Sequence, residues 1–288
     1  MGVDSGHWTI MRLLKRPLIK IFAIATICLR IAAAAPAQGA NDASLTLTKD
    51  QIKQFLLTAN VIASRESKKG VTHPTRLTLS DGTITHDASY QSIDEHKSEM
   101  KLESGTTVFN FVDSYKFNIA AYTLSELLGV DDMLPVYVER KWQGHAGSVS
   151  WWLPVKMDEE DRVAKKIAPP NLDAWNKQMH RVRVFDELIY DTDANLTNVL
   201  IGPDWQIWRI DFTRAFRTNK NLQKPGDLVQ CERHLFQKLK ELNGSELEEK
   251  TRHYLTKDEV QAVMARRDKI VARFDELIKE KGEKEILY

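Results

Sequence analysis

The tightest constraint on this chain of 288 residues lies between Asp191 and Phe216. The segment Asp191-Thr192-Asp193-Ala194-Asn195-Leu196-Thr197-Asn198 packs acids and amides into a short loop. An apolar strand follows at 198–201, Gly202-Pro203-Asp204-Trp205 turns the chain, and 206–210 returns as a second strand. That return delivers Asp211-Phe212 and aims the Asp211 carboxylate back at Asn198. Taken alone, Asp193-x-x-x-x-Asn198 is also what an ordinary helix-to-strand loop carries, its acids and amides serving as caps. The hairpin and Asp211 favour a built site instead. Its oxygen and amide donors suit a hard cation such as Mg²⁺ or Mn²⁺.

Upstream of this loop the pattern is mixed. Thr48-Lys49-Asp50-Gln51 is a capping box. Ile52, Phe55, Leu56 and Ala59 follow at helical spacing, and the helix is expected to end near Ser64. Runs at 76–79 and 84–93 flank Ser80-Asp81-Gly82-Thr83, and Asp-Gly between alternating runs predicts a hairpin. A strand is expected at 106–111 and a helix at 117–128, closed by Gly129. Two more strands, 135–140 and 148–153, are joined by 141–147. Trp151-Trp152 reads as a core and hinge pair.

From 156 onward helices dominate: 172–190, 226–242 and 245–255. A second capping box, Thr256-Lys257-Asp258-Glu259, opens a helix to about 281, and the charged stretch 280–284 is expected to fray. The predicted fold class is α+β and two-lobed, with a small mixed α/β N-lobe at 46–155 and a mainly helical C-lobe at 156–288.

The first 37 residues have the order of a secretory signal peptide. Met11 to Arg16 is basic, Ile21 to Leu29 is apolar, and Ala35-Pro36-Ala37 is a small-residue cleavage site. Translation from Met11 gives the same pattern, and 38–45 reads as a linker. The expected location is therefore exported, periplasmic or extracellular, with no stable membrane span after cleavage. Arg30 within the apolar stretch keeps an uncleaved N-terminal anchor as the alternative. Of two cysteines, Cys28 lies in the leader, so Cys231 has no disulfide partner and reads as a packed thiol. The net charge is +1, from 41 basic and 40 acidic residues, which offers no basic face for nucleic acid.

Phe185-Asp186-x-Leu188-Ile189, Asp193, Asn198-Val199-Leu200 and Ile210-Asp211-Phe212-x-Arg214-Ala215-Phe216 together resemble the atypical kinases. Among these are the phosphatidylinositol 3- and 4-kinases, the HipA toxin kinases and the secretory-pathway kinases. Gly70-Val71-Thr72-His73-Pro74 with the Asp81-Gly82 hairpin looks like that family's phosphate-covering hairpin. The resemblance implies a kinase-like fold that binds ATP and Mg²⁺ (or Mn²⁺). It implies Asp193 as general base, Asn198 and Asp211 as metal ligands, and Thr72 and Gln91 against the nucleotide.

The departures are specific. The family's Asp-Arg-His triplet reads Asp193-Ala194-Asn195, and Thr213 stands for the glycine after Asp-Phe. Gln91 falls where the phosphate-pairing lysine belongs, and Asn118 where its glutamate belongs. These two can hydrogen-bond each other but form no ion pair, so phosphate binding would rest on backbone N–H groups and metal. Arg214 either contacts phosphate or pairs with a loop carboxylate. Three readings follow: a phosphotransferase of unknown acceptor, an inactive exported pseudokinase acting as a binding module, or an interaction protein whose loop acids are only caps.

Overall fold

Thr48 opens the first helix as expected. Its hydroxyl accepts from the Gln51 N–H, and the Gln51 side chain accepts from the Thr48 N–H. This helix, α1 (Lys49–Thr58), stops earlier than the predicted Ser64. Ala59 turns extended, and Val61 and Ile62 suit the strand β1 (Asn60–Glu66) better than a helix. The computed structural model describes residues 47–66, 74–101, 105 and 107–288; the leader, the linker and Thr72 lie outside the described residues.

The Asp-Gly turn joins β2 (Thr75–Ser80) to β3 (Thr85–Gln91). Asp81 Oδ1 accepts from the N–H groups of Thr83 and Ile84, both at 2.8 Å. The chain then leaves for a separate two-stranded ribbon, β4 (Asp94–Lys101) and β5 (Thr107–Ser114). The single run expected at 84–93 thus divides after Gln91, and β4 was not anticipated. Next comes α2 (Lys116–Leu128), closed by Gly129 in the left-handed region (φ 65°). β6 (Tyr137–Trp142) and β7 (His145–Trp151) complete a five-stranded sheet of order β1-β2-β3-β7-β6, antiparallel throughout. Their connection is the two-residue turn Gln143-Gly144, both at positive φ, and not the longer loop 141–147. Trp151 stacks on His86 with centroids 3.5 Å apart, and Trp152 lies under Arg76, so both indoles serve as packing surfaces.

Beyond residue 156 lie β8 (Met157–Asp158), α3 (Glu159–Ala164) and α4 (Leu172–Ile189). The short strands β9 (Val199–Ile201) and β10 (Ile207–Arg209) pair with β8 in the order β10-β9-β8. Four helices finish the chain: α5 (Arg233–Glu241), α6 (Gly244–Thr251), α7 (Lys257–Lys281) and α8 (Glu283–Ile286). α5 begins later than expected because Pro225–Asp227 forms only a 3₁₀ turn and Cys231 pairs with Leu287 in a parallel bridge. The tail does not fray. Ile286 and Leu287 are buried, and the Cys231 N–H donates to the Ile286 carbonyl at 2.9 Å.

The central helix α2 joins the two lobes. Phe117, Ala120, Ala121 and Leu124 belong to one hydrophobic core that includes Leu77 and Val149 of the sheet and Phe185, Leu188 and Phe212 of the helical side. Phe212 is fully buried, with edge-on contacts to Tyr137 (6.4 Å) and Phe185 (5.9 Å). Burying such a ring contributes about 1.5–3 kcal/mol, which anchors the residue after Asp211 in the core. Among the described residues no helix is long and apolar enough to cross a membrane.

Candidate functional site

The loop after α4 is held at both ends by backbone. Tyr190 turns left-handed (φ 52°) to close the helix, and the Phe216 N–H donates to the Ile189 carbonyl at 2.6 Å. Inside the loop, Asp191 Oδ1 accepts from the Asp193 N–H at 2.9 Å. Asn195 Oδ1 caps a 3₁₀ turn over Leu196–Asn198, accepting from Thr197 (3.0 Å) and Asn198 (3.2 Å). Capping and chemistry are therefore not exclusive here: Asp191 and Asn195 cap, which leaves Asp193 half-exposed and Asn198 buried.

The organiser of this loop is Arg209, which sequence reasoning missed. It is fully buried on β10. Its guanidinium bonds Asp186 of α4 (3.1 Å), Asp191, and the carbonyls of Asn198 (3.3 Å) and Ile210. It also faces the Phe212 ring at 5.3 Å. One side chain thus ties α4, the loop, β10 and Phe212 together. The available signal was alternation: Arg209 shares its face of β10 with the buried Ile207, and a charge on a buried face needs partners. Burial pushes the Asp191 carboxyl up to about 6, with Arg209 pulling the other way. Burial likewise raises Asp186.

Asp211 follows directly. Its φ of 59° is in the left-handed region, which aspartate adopts more readily than most non-glycine residues. Burial raises its pKa, the hydroxyl of Thr213 donates to Oδ1 at 3.1 Å and lowers it, and the nearby charge of Asp113 raises it again. Tyr137 also lies against this residue; burial and then the Asp211 charge keep its phenol protonated. The Ile210 N–H donates to the Asn198 carbonyl at 3.0 Å, which ties the residue before Asp211 to Asn198. The Asn198 amide nitrogen donates to the Asp193 carbonyl at 3.3 Å, so its oxygen is the end left for a cation. Asp113, at the end of β5, was also missed. It is 2% exposed, with Oδ2 on Arg214 and a buried Oδ1 that has no hydrogen-bond partner. The Asp113 charge bears on Asp211, and carboxylate and amide oxygens, one carboxylate oxygen buried and without a hydrogen bond, are donors of the kind that fit a hard divalent cation. Asn198 and Asp211 would hold it.

Across the sheet, Gln91 ends β3 and pairs in register with Ser148 of β7. The Asn118 amide nitrogen donates to both, to Gln91 Oε1 and Ser148 Oγ at 3.1 Å each. The Asn118 oxygen accepts from the Phe212 N–H at 2.8 Å. Gly147 permits this closeness, because an added Cβ would stand 2.5 Å from the Gln91 carbonyl. Gln91 and Asn118 are thus brought together, and Asn118 links them to the residue next to Asp211. Arg214 reaches Asp113 through Nε (2.9 Å) and Asp193 through Nη1 (3.2 Å).

No protein-family model and no curated protein matches the sequence. Solved structures do match in shape. A hydra Fam20 with sugar superposes with a TM-score of 0.62 at 15% identity, over 83% of this chain and 91% of that one. The Golgi casein kinase gives 0.58 at 14% identity, over 83% and 77%. The same kinase with Mn/ADP bound gives 0.57 at 14%, over 86% and 79%. At such identities the likeness is one of fold, and on that ground this chain has an atypical kinase-like fold of the kind seen in the Fam20 and Golgi casein kinase structures.

Proposed function

We propose that the chain is a kinase-like phosphotransferase that binds ATP with Mg²⁺ or Mn²⁺ and acts on an acceptor of unknown identity. The lobes would meet near residue 155, with Asp193 as general base, Asn198 and Asp211 as metal ligands, and Gln91 toward the nucleotide. Thr72 would serve the same nucleotide from the segment outside the described residues. The observation that carries this reading is the hydrogen-bonded line Gln91–Asn118–Phe212, which runs from the sheet to the residue beside Asp211. The Golgi casein kinase solved with Mn/ADP supports the choice of ligands. A bound divalent ion would neutralise phosphate charge. The residues themselves would do the rest: Asp193, held by Arg214 and Asn195, would accept an acceptor hydroxyl's proton.

The neutral Gln91–Asn118 pair favours a second reading, an exported pseudokinase that binds without turnover. The first test is thermal stability of the full chain with ATP, with Mg²⁺ and with both. A midpoint shift that requires both, and vanishes in Asp211→Ala, is expected. No shift at millimolar nucleotide removes the nucleotide reading. Binding without turnover, unaltered when the charged pair is restored by Gln91→Lys with Asn118→Glu, selects the pseudokinase. Export from the N-terminal leader is part of the proposal, and N-terminal sequencing of the product should begin near Gln38.

A further inference from the structure

We propose that Arg214 supplies the cation for the terminal phosphate of a bound nucleoside triphosphate, and that Asp113 sets its orientation. The proposal rests on the nucleotide-binding reading above. It begins from a shortage of positive charge. Gln91 and Asn118 are both neutral where the related fold would be expected to carry an ion pair. Arg209 is fully buried and occupied by Asp186, Asp191 and the carbonyls of Asn198 and Ile210. Meanwhile Asp113, Asp193 and Asp211 gather on one side, a wall that repels phosphate unless cations stand in front of it. A metal at Asn198 and Asp211 would screen one end of this wall only.

Arg214 stands at the other end. Its side chain is 24% exposed, so unlike Arg209 it is not sealed in the core. Nε is fixed on the buried Asp113, Nη1 touches Asp193, and the group faces the Phe111 ring at 5.5 Å. A guanidinium has five N–H donors in one plane, and these two contacts leave several for a phosphate. The buried carboxylate and the ring fix that plane before a ligand arrives, which lowers the ordering cost of binding. Because Arg214 also touches Asp193, its free donors lie beside the proposed base, where the transferred phosphate would sit. Asp113 is then a positioning residue that acts through Arg214. The competing role for Arg214 is that of a brace between β5 and the loop, with no ligand.

The test is titration calorimetry on the full chain with Mg²⁺ and, in turn, ATP, ADP and adenosine. Arg214→Met should weaken ATP by about tenfold or more, the scale of a lost charge-assisted contact. ADP should lose less and adenosine should be unchanged. Arg214→Lys should restore part of the ATP affinity, since a point charge replaces the fork. Arg214→Met leaves the Asp113 charge buried alone; if that variant does not fold, Asp113→Asn with Arg214→Met removes both charges and carries the test beside Arg214→Lys. Where both fold, the double variant should bind ATP like Arg214→Met alone, because Asp113 acts through Arg214. ATP binding unchanged in these variants overturns the proposal and leaves nucleotide binding standing, and equal losses for ATP and adenosine do the same by marking a brace. A wild-type chain that binds no nucleotide overturns both.

Discussion

The two sides of the site are built from opposite materials. At the sheet, Gln91, Asn118, Ser148 and the Phe212 N–H make a neutral hydrogen-bonded line. At the loop, Arg209, Asp186 and Asp191 make a charged knot around one fully buried guanidinium. Neutral bonds contribute modestly and fail gently. Buried charges hold each other in place, and removing one strands the rest. The sheet side can therefore tolerate substitution with modest loss. The loop side cannot lose a partner singly.

The largest expected effect tests that last statement. Arg209→Met leaves Asp186 and Asp191 buried without a cation and should cost about 3–5 kcal/mol in urea unfolding. A loss below about 1 kcal/mol would mean that the loop carboxylates simply take up protons, and the contrast between the two sides would collapse. Next comes Asn118→Ala, which orphans the buried Phe212 N–H and the groups at Gln91 and Ser148. It should cost about 1–3 kcal/mol, while Gln91→Ala, at a half-buried residue, should cost less. The reverse order would place the weight of the line on the strand rather than on α2.

A further effect is one of pH. Burial holds the folded pKa of Asp191 near 6, above its unfolded value of about 3.9. The folded chain therefore keeps a proton that the unfolded chain has released. This contribution is complete below about pH 4 and is lost as pH rises through about 6. Asp191→Asn, permanently neutral, should remove that slope and leave stability above pH 7 parallel to wild type. A wild-type slope that survives the substitution would assign it to Asp186 or another carboxyl.

Much of the frame was legible because its signals are local. Both capping boxes, the Asp81-Gly82 turn and the Gly129 stop act within a few residues, and each stands where the pattern put it. The hairpin between Asn198 and Asp211 was also readable, since Gly202-Pro203-Asp204-Trp205 turns the chain between two short apolar runs. What escaped was non-local. Asp113 and Arg214 lie 101 positions apart in sequence, and nothing near Asp113 announces its partner. Arg209 looked like one more charge because its carboxylates come from two earlier elements. The β6–β7 turn was missed because Gln143 is not a residue that advertises a positive φ. The tail was misjudged by composition, since the charged run at 280–284 hid the two apolar residues that dock behind it.

That docked tail makes the Cys231 thiol a clock. Cys231 is buried under Leu287 and Tyr288, and burial raises its pKa, so a thiol reagent meets it only after the chain end has peeled away. Labelling kinetics at this sulfur, in a chain with Cys28→Ser, would report how often residues 286–288 open.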